Sequence, residues 1–485
     1  MIHDNTTKKI LNMSSIEIAS MIKKNEISCY QVITIFINQI IKYDNQLNAL
    51  AYDCFAEAKE IARFYDKKYN YLKKKNNIKK LPTYFGVPII IKESIELKDK
   101  PFTFGYSFRQ GFTGQSNNEY CQKLINNGFI ILGAGNVAEG CTWIETDNKI
   151  YGRTNNPYDL ERTPGGSSGG TAVLITTNCS PIGLCNDAQG SIRIPAYYNC
   201  LFGHKPTGGC IKGYYSDINE TKFLDDVAQS GIVSRQSNEL WPIISLLSDT
   251  NKIKTNQYDN LKLQDVTFIY IGESFKNFLT TDIDSTLNNK IDDVLNLLKN
   301  LNCESKSLNL FELELSSLII LSKLSKNEDI HSCDIYLDES SISQNFLDLN
   351  FINFGIKILS KLLKKYSNGK NDEENLIDKI FKILEVKIKE LLKSDNNVIL
   401  VCPTLPNLPP YHNTSIKHFF DIPMVGIWNL LKLPVTQVPL GLNYQGLPLG
   451  FQLIGDKYKD RLTIKVAELL EKEGIAKWVK PKIIK

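Results

Sequence analysis

Apolar side chains recur every three or four residues across 14–45, the spacing of amphipathic helices. Ser14 with Glu17, and Ser28 with Gln31, stand at capping-box spacing ahead of two apolar runs, so two helices are expected there. The pattern then changes. FGVPIIIKESIEL (85–97) opens with an unbroken apolar run bounded by Gly86 and Pro88, which reads as a strand. GFIILGAGN (128–136) and CSPIGLCND (179–187) are further short apolar runs ending in small residues. DVTFIYIGE (265–273) and NVILVCPTLP (397–406) read as strands too. Between them, Leu287, Ile291, Val294, Leu295, Leu298 and Leu301 mark one face of a helix. Strands alternating with helices along the whole chain predict an α/β architecture around one sheet.

Composition narrows the classes. With 485 residues and 42% hydrophobic side chains, the chain can bury a substantial core. Its 57 basic and 53 acidic residues leave a net charge of +4, and no basic stripe is interleaved with aromatics, so no nucleic-acid partner is expected. Eleven cysteines without a CxxC pair, after the polar start MIHDNTTKKI, predict reduced thiols, no signal peptide and a cytoplasmic location. No apolar run reaches the roughly 18 residues of a membrane-spanning helix. The five histidines (His3, His204, His331, His412 and His418) form no HExxH and no pair at helical ligand spacing. No metal is therefore expected, and the chemistry should manage without much histidine.

The candidate chemistry gathers in three segments. PGGSSGGTAVL (164–174) sets Ser167 and Ser168 among four glycines, a backbone that side chains would obstruct. Lys92 follows the apolar run in GVPIIIKES, and Ser191 lies in NDAQGSIRIPA ahead of Arg193 and Pro195. Gly165 to Gly169 satisfies GxSxG, but a nucleophile elbow needs a downstream acid and histidine, and has one serine rather than two between paired glycines. The other mechanism uses lysine as base. A desolvated amine loses its proton more readily and can deprotonate a hydroxyl, with a second serine relaying the proton. Taken singly, Lys92 reads as a solvated loop lysine and Ser191 as a helix N-cap. Neither reading explains why the three share one context. Cys185, with no histidine near it in sequence, reads as a core thiol.

This constellation resembles the amidase signature serine hydrolases, whose signature stretch is GGSSGG followed by GSIRIPA, with an upstream lysine in GVPxxxK. TDNKIYGRTNNPYDL (146–160), FGHKPT (202–207), LPVTQVPLGLNYQGLPLGFQLIG (433–455) and DRLTIKVAELLE are similar to the type-2 fatty-acid amide hydrolases of that family. The resemblance implies a large mixed central sheet covered by helices on both faces, in a single amidase domain over 1–485. Its signature core would span about 80–245, a variable helical lobe about 250–395, and the returning core about 396–485. The family's spacing, 75 residues from Lys92 to Ser167 and 24 from Ser167 to Ser191, selects Ser167 over Ser168 as the bridging serine. The implied triad is Lys92, Ser167 after a cis peptide bond, and the nucleophile Ser191. Backbone N–H groups of Ala188, Gln189, Gly190 and Ser191 would hold the oxyanion. Asp187 and Arg193 would pin that loop by an ion pair.

The implied reaction is hydrolysis of a fatty-acid or other small acyl amide through an acyl-enzyme, with no cofactor. Two alternatives stand beside it: an amidotransferase A-type subunit that frees ammonia from glutamine with partner subunits, and a catalytically impaired amidase-fold binding protein. The second is motivated by Gln189, which stands where the family has glycine, so that a need for positive φ there would strain the loop. GIVSR (231–235) also lacks the proline of the family's GPxxR. In 346–366, Lys357, Lys361, Lys364 and Lys365 fall at helical spacing, with Phe351, Phe354, Ile358 and Leu362 on another side. That pattern suits peripheral contact with a membrane. A homodimer is compatible with the reading.

Overall fold

The computed structural model describes residues 4–213, 227–325, 373–393 and 397–484. Both capping boxes form: the Ser14 hydroxyl accepts from the Glu17 amide and Glu17 accepts from the Ser14 amide, and Ser28 and Gln31 repeat the exchange. They start the helices Ser15–Lys23 and Cys29–Leu47. The apolar runs become strands as expected, because each is short, bounded by turn residues and buried on both sides.

In chain order the strands are β1 (Leu50–Asp53), β2 (Pro88–Lys92), β3 (Ile130–Gly135) and β4 (Ile182–Asp187). β5 (Phe202–Lys205), β6 (Gln229–Ser234), β7 (Val266–Tyr270) and β8 (Glu304–Ser307) follow. β9 (Asn397–Pro403), β10 (Val435–Leu442) and β11 (Pro448–Ile454) complete one mixed sheet in the order β1-β3-β2-β4-β6-β5-β10-β11-β9-β7-β8. Every residue of β2, β4, β5, β6, β7 and β11 is buried. Successive strand side chains point to opposite faces, so unbroken burial means that both faces of the sheet are covered along these strands, while the edge strands β1 and β8 stay partly exposed.

Two apolar clusters provide the cover. One joins the helices Ser15–Lys23 and Cys29–Leu47 to β2, β3 and β4. The other packs the helices Ser316–Ser325, Glu373–Leu392 and Pro423–Leu430 against β7 and β9 to β11. Leu287, Ile291, Val294 and Leu298 of the helix Ser285–Asn300 are fully buried, while Leu295 and Leu301 are only partly covered. The stretch 250–395 supplies two strands as well as helices, β7 running parallel to both β8 and β9. The basic segment 346–366 lies outside the described residues. Among the described residues no helix is long and apolar enough to cross a membrane.

One feature of the topology positions the site. β2 is parallel to both its neighbours, with Lys92 opposite Gly135 of β3 and Ile91 opposite Leu184 of β4. The carboxyl ends of three adjacent strands therefore finish together, the place where open α/β sheets leave a crevice.

Candidate active site

Lys92 is the last residue of β2 and is fully buried. Asn186 stands near the end of the adjacent parallel strand β4, so the two side chains meet: Lys92 Nζ donates to Asn186 Oδ1 at 2.6 Å. The same nitrogen donates to Ser167 Oγ at 2.7 Å, and Ser167 Oγ lies 3.0 Å from Ser191 Oγ. Three residues spread over a hundred positions thus form one hydrogen-bonded chain. Lys92 and Ser167 are enclosed, while Ser191 is half-buried and open to a reactant. Ser168 is buried and belongs to no part of this chain. No histidine among the described residues bonds to either serine; His204 instead contacts Thr436 and Asp460, which disposes of the nucleophile elbow.

The glycines around Ser167 are explained by close backbone approach. The Gly166–Ser167 peptide is cis. A Cβ on Gly166 would lie 2.4 Å from the Trp143 carbonyl oxygen, and one on Gly170 would lie 2.2 Å from the Asn136 amide nitrogen. Gly170 lies in the first turn of the helix Gly169–Thr176 and sits against the residue that follows β3. Both obstacles are backbone atoms, which cannot swing aside. Gly166→Ala should therefore cost about 1–3 kcal/mol of stability by overpacking, and displace Ser167 from Lys92. Thermal melting and the rate of Ser191 labelling by a fluorophosphonate would register the two effects, and a wild-type result in both would refute them.

After β4 the chain turns through 188–191 into the short helix Arg193–Tyr198. Asp187 and Arg193 form an ion pair across this turn, and both are fully enclosed rather than at the surface. Arg193 donates to Asp187 Oδ2 at 3.0 Å and Oδ1 at 2.9 Å, to Val425 O at 2.8 Å, to Gln452 Oε1 at 3.2 Å and to Asn429 Oδ1 at 2.5 Å. All five guanidinium donors are used. Burial alone would raise the Asp187 carboxyl, but Arg193's charge and hydrogen bonds, Lys205's charge and the Gly190 amide outweigh it and hold the group well below the usual carboxylate range. Asn429 adds Nδ2 bonds to the Asp187 carbonyl at 2.9 Å and to Oδ1 at 3.1 Å, tying in the helix Pro423–Leu430.

The four amides expected to face an oxyanion are not equivalent. The Gly190 N–H donates to Asp187 Oδ1 at 2.7 Å, so it is committed to the carboxylate that braces the loop. Those of Ala188, Gln189 and Ser191 engage no group among the described residues. Positive φ falls on Gly190, at 107°, and not on Gln189, so glutamine needs no left-handed backbone there. Cys185 is fully buried and burial pushes its thiol up to about 12, the behaviour of a core cysteine.

The loop's surroundings are apolar. Ala188 packs against the apolar cluster formed by Phe102, Phe104, Tyr106 and Ala228, and Gly190 approaches Val425. Glu93, next to Lys92, holds the aromatic segment in place. It accepts from Thr103 N and Oγ1 at 2.7 Å each, from Phe104 N at 2.9 Å and from Tyr151 Oη at 2.9 Å. Its burial raises the carboxyl pKa against these opposing hydrogen bonds. Asn186, Asn429, Gln452 and Glu93 escape a reading of the sequence by motif. Their one visible signal is a polar side chain inside or at the end of an apolar run, as in GLCND, GIWNLL, GFQLIG and IIIKES.

The chain matches the family described as Amidase over residues 31–464. It is 29% identical to human fatty-acid amide hydrolase 2, over 98% of this chain and 91% of that protein. It is 27% identical to an A-type subunit of the glutamyl-tRNA(Gln) amidotransferase of Clostridium acetobutylicum, over 96% of this chain and all of that one. The fold matches a bacterial aryl acylamidase of the amidase signature enzymes with a TM-score of 0.77 at 19% identity, covering 96% of each chain. A match running from the helix Cys29–Leu47 to the helix Asp460–Lys472, and so across the whole sheet and every residue of the Lys92–Ser167–Ser191 chain, means that this protein belongs to the amidase signature family and is an amidase.

Proposed function

We propose that this amidase hydrolyses acyl amides, fatty-acid amides foremost, with Ser191 as nucleophile, Ser167 as relay and Lys92 as base. The observation that carries the reading is the hydrogen-bonded chain from enclosed Lys92 through Ser167 to accessible Ser191. With its amine uncharged, Lys92 takes the Ser167 proton while Ser167 takes the Ser191 proton. Ser191 Oγ then bonds to the substrate carbonyl carbon, and the oxygen that gains charge is met by the uncommitted amides of Ala188, Gln189 and Ser191. One such donor contributes about 3 kcal/mol in an enclosed site. Collapse breaks the C–N bond, and the leaving nitrogen receives the proton from Lys92 through Ser167. Water attacks the acyl ester by the same relay, releasing the acid and restoring Ser191.

The acyl preference is supported by the apolar wall of Phe102, Phe104 and Tyr106 beside Ala188, and by the likeness to human fatty-acid amide hydrolase 2. Purified protein assayed against straight-chain primary amides from short to long should show kcat/KM rising with chain length. Burial of one methylene is worth about 0.8 kcal/mol, or roughly fourfold per CH₂ until the apolar surface is filled. Ammonia released from free glutamine, with no turnover of long-chain amides, would reject this proposal in favour of the amidotransferase reading.

A further inference from the structure

We infer that Asn186 is a positioning residue that aims the lone pair of the Lys92 amine at Ser167. The inference rests on the proposed function and adds a residue to it. An amide oxygen can only accept, so the 2.6 Å contact between Lys92 Nζ and Asn186 Oδ1 must be an N–H donated by the lysine in either protonation state. An uncharged amine has two N–H bonds and one lone pair. With one N–H held by Asn186, the lone pair is free to accept from Ser167 Oγ, 2.7 Å away. The amide is oriented from its other end, where Nδ2 donates to Ser94 Oγ at 3.3 Å. Turned over, it would present a donor to the lysine and capture the lone pair that the relay requires.

Neutrality at this position matters as much as direction. Among the described residues no carboxylate forms an ion pair with Lys92. Glu93, the residue that follows the strand, is spent on Thr103, Phe104 and Tyr151. Asp187 is spent on Arg193 and on the Gly190 and Ile192 amides. Cys185 carries an uncharged thiol. Asp44, from the helix packed on β2, accepts from the Ala49 and Leu50 amides. β3, β6 and the helix Gly169–Thr176 carry no titratable side chain. Asn186 therefore gives the amine an acceptor that brings no charge to hold it as ammonium.

The test is the pH profile of Ser191 labelling by a fluorophosphonate, with kcat/KM for an acyl amide measured alongside. Asn186→Asp sets a carboxylate against the amine, and an opposite charge at that range moves a titration by about 1–3 pH units. The acid limb should shift upward by at least one pH unit, with the rate recovering above it. Asn186→Leu, which removes the acceptor without adding charge, should lower kcat about 10- to 100-fold at unchanged KM. An Asn186→Asp profile superimposed on wild type would overturn the inference. So would an equal loss at every pH with the limb unmoved, which marks a structural role alone. If Asn186→Asp does not fold, wild-type kcat in Asn186→Leu overturns it instead. Failure of the wild type to label at Ser191 at any pH would remove the proposed function itself, a result distinct from an unmoved limb in a protein that does label.

Discussion

Ser191→Ala should lower kcat/KM for an acyl amide by about 10⁴-fold or more and abolish labelling by a fluorophosphonate. The fold should survive, because Ser191 is half-buried and, among the described residues, its hydroxyl bonds only to Ser167. Lys92→Met should be nearly as inactive, and the double variant little worse than either single one, since groups that act as a unit lose their joint effect when any member is removed. The two differ in stability. Lys92 is enclosed with two hydrogen-bond partners and no carboxylate partner among the described residues, so burying its charged form opposes folding. Methionine fills a similar volume without that penalty, and Lys92→Met should melt at or above the wild-type temperature while losing activity. Turnover by Ser191→Ala within tenfold of wild type would place the nucleophile elsewhere.

The second large effect concerns the pair beneath the loop. Asp187→Asn leaves the enclosed Arg193 guanidinium without its carboxylate, and breaking a buried pair by removing one partner costs about 3–5 kcal/mol. The loop at 188–191 would loosen with it, because Asp187 also accepts from the Gly190 and Ile192 amides. Activity and melting temperature should therefore fall together. The sign of the pH dependence follows from the direction of the titration shift. The carboxyl titrates lower in the folded protein than its ordinary value of 3.8, so its contribution is complete above that value and is lost as pH falls through the folded one. The gap in melting temperature between wild type and Asp187→Asn should be level from neutral to mildly acidic pH and narrow only below about pH 4. A gap that closes already near neutrality would show that the pair carries little of the stability.

Much of the scaffold was legible because its signals are local. Ser14–Glu17 and Ser28–Gln31 start helices through contacts three residues apart, and the runs around 88–92, 130–135 and 182–187 are strands because each is short, apolar and bounded by turn residues. The glycines at 165–170 likewise announce a crowded backbone, although not what crowds it. Trp143 and Asn136, the obstacles at Gly166 and Gly170, are distant in sequence and invisible to any pattern. The order of the strands is another matter. β6 and β5 intervene between β4 and β10, and β7 lies beyond β9, an arrangement that no periodicity encodes.

Motif context by itself brought Lys92, Ser191 and the glycine-flanked serines at 167 and 168 together as candidates, and the resemblance to the amidase signature family selected Ser167 and added the ion pair of Asp187 and Arg193 across the loop. Tertiary structure decided what each contact does. The parallel register of β2 and β4 brings Asn186 to the lysine, and Asp187 engages the Gly190 amide. Burial turned Asp187 and Arg193 from an ordinary charge pair into a brace with every donor used. The physical reason is range: capping, turn chemistry and hydrophobic period act over a few residues, whereas hydrogen-bond partners and desolvation depend on segments that meet only once the sheet has formed.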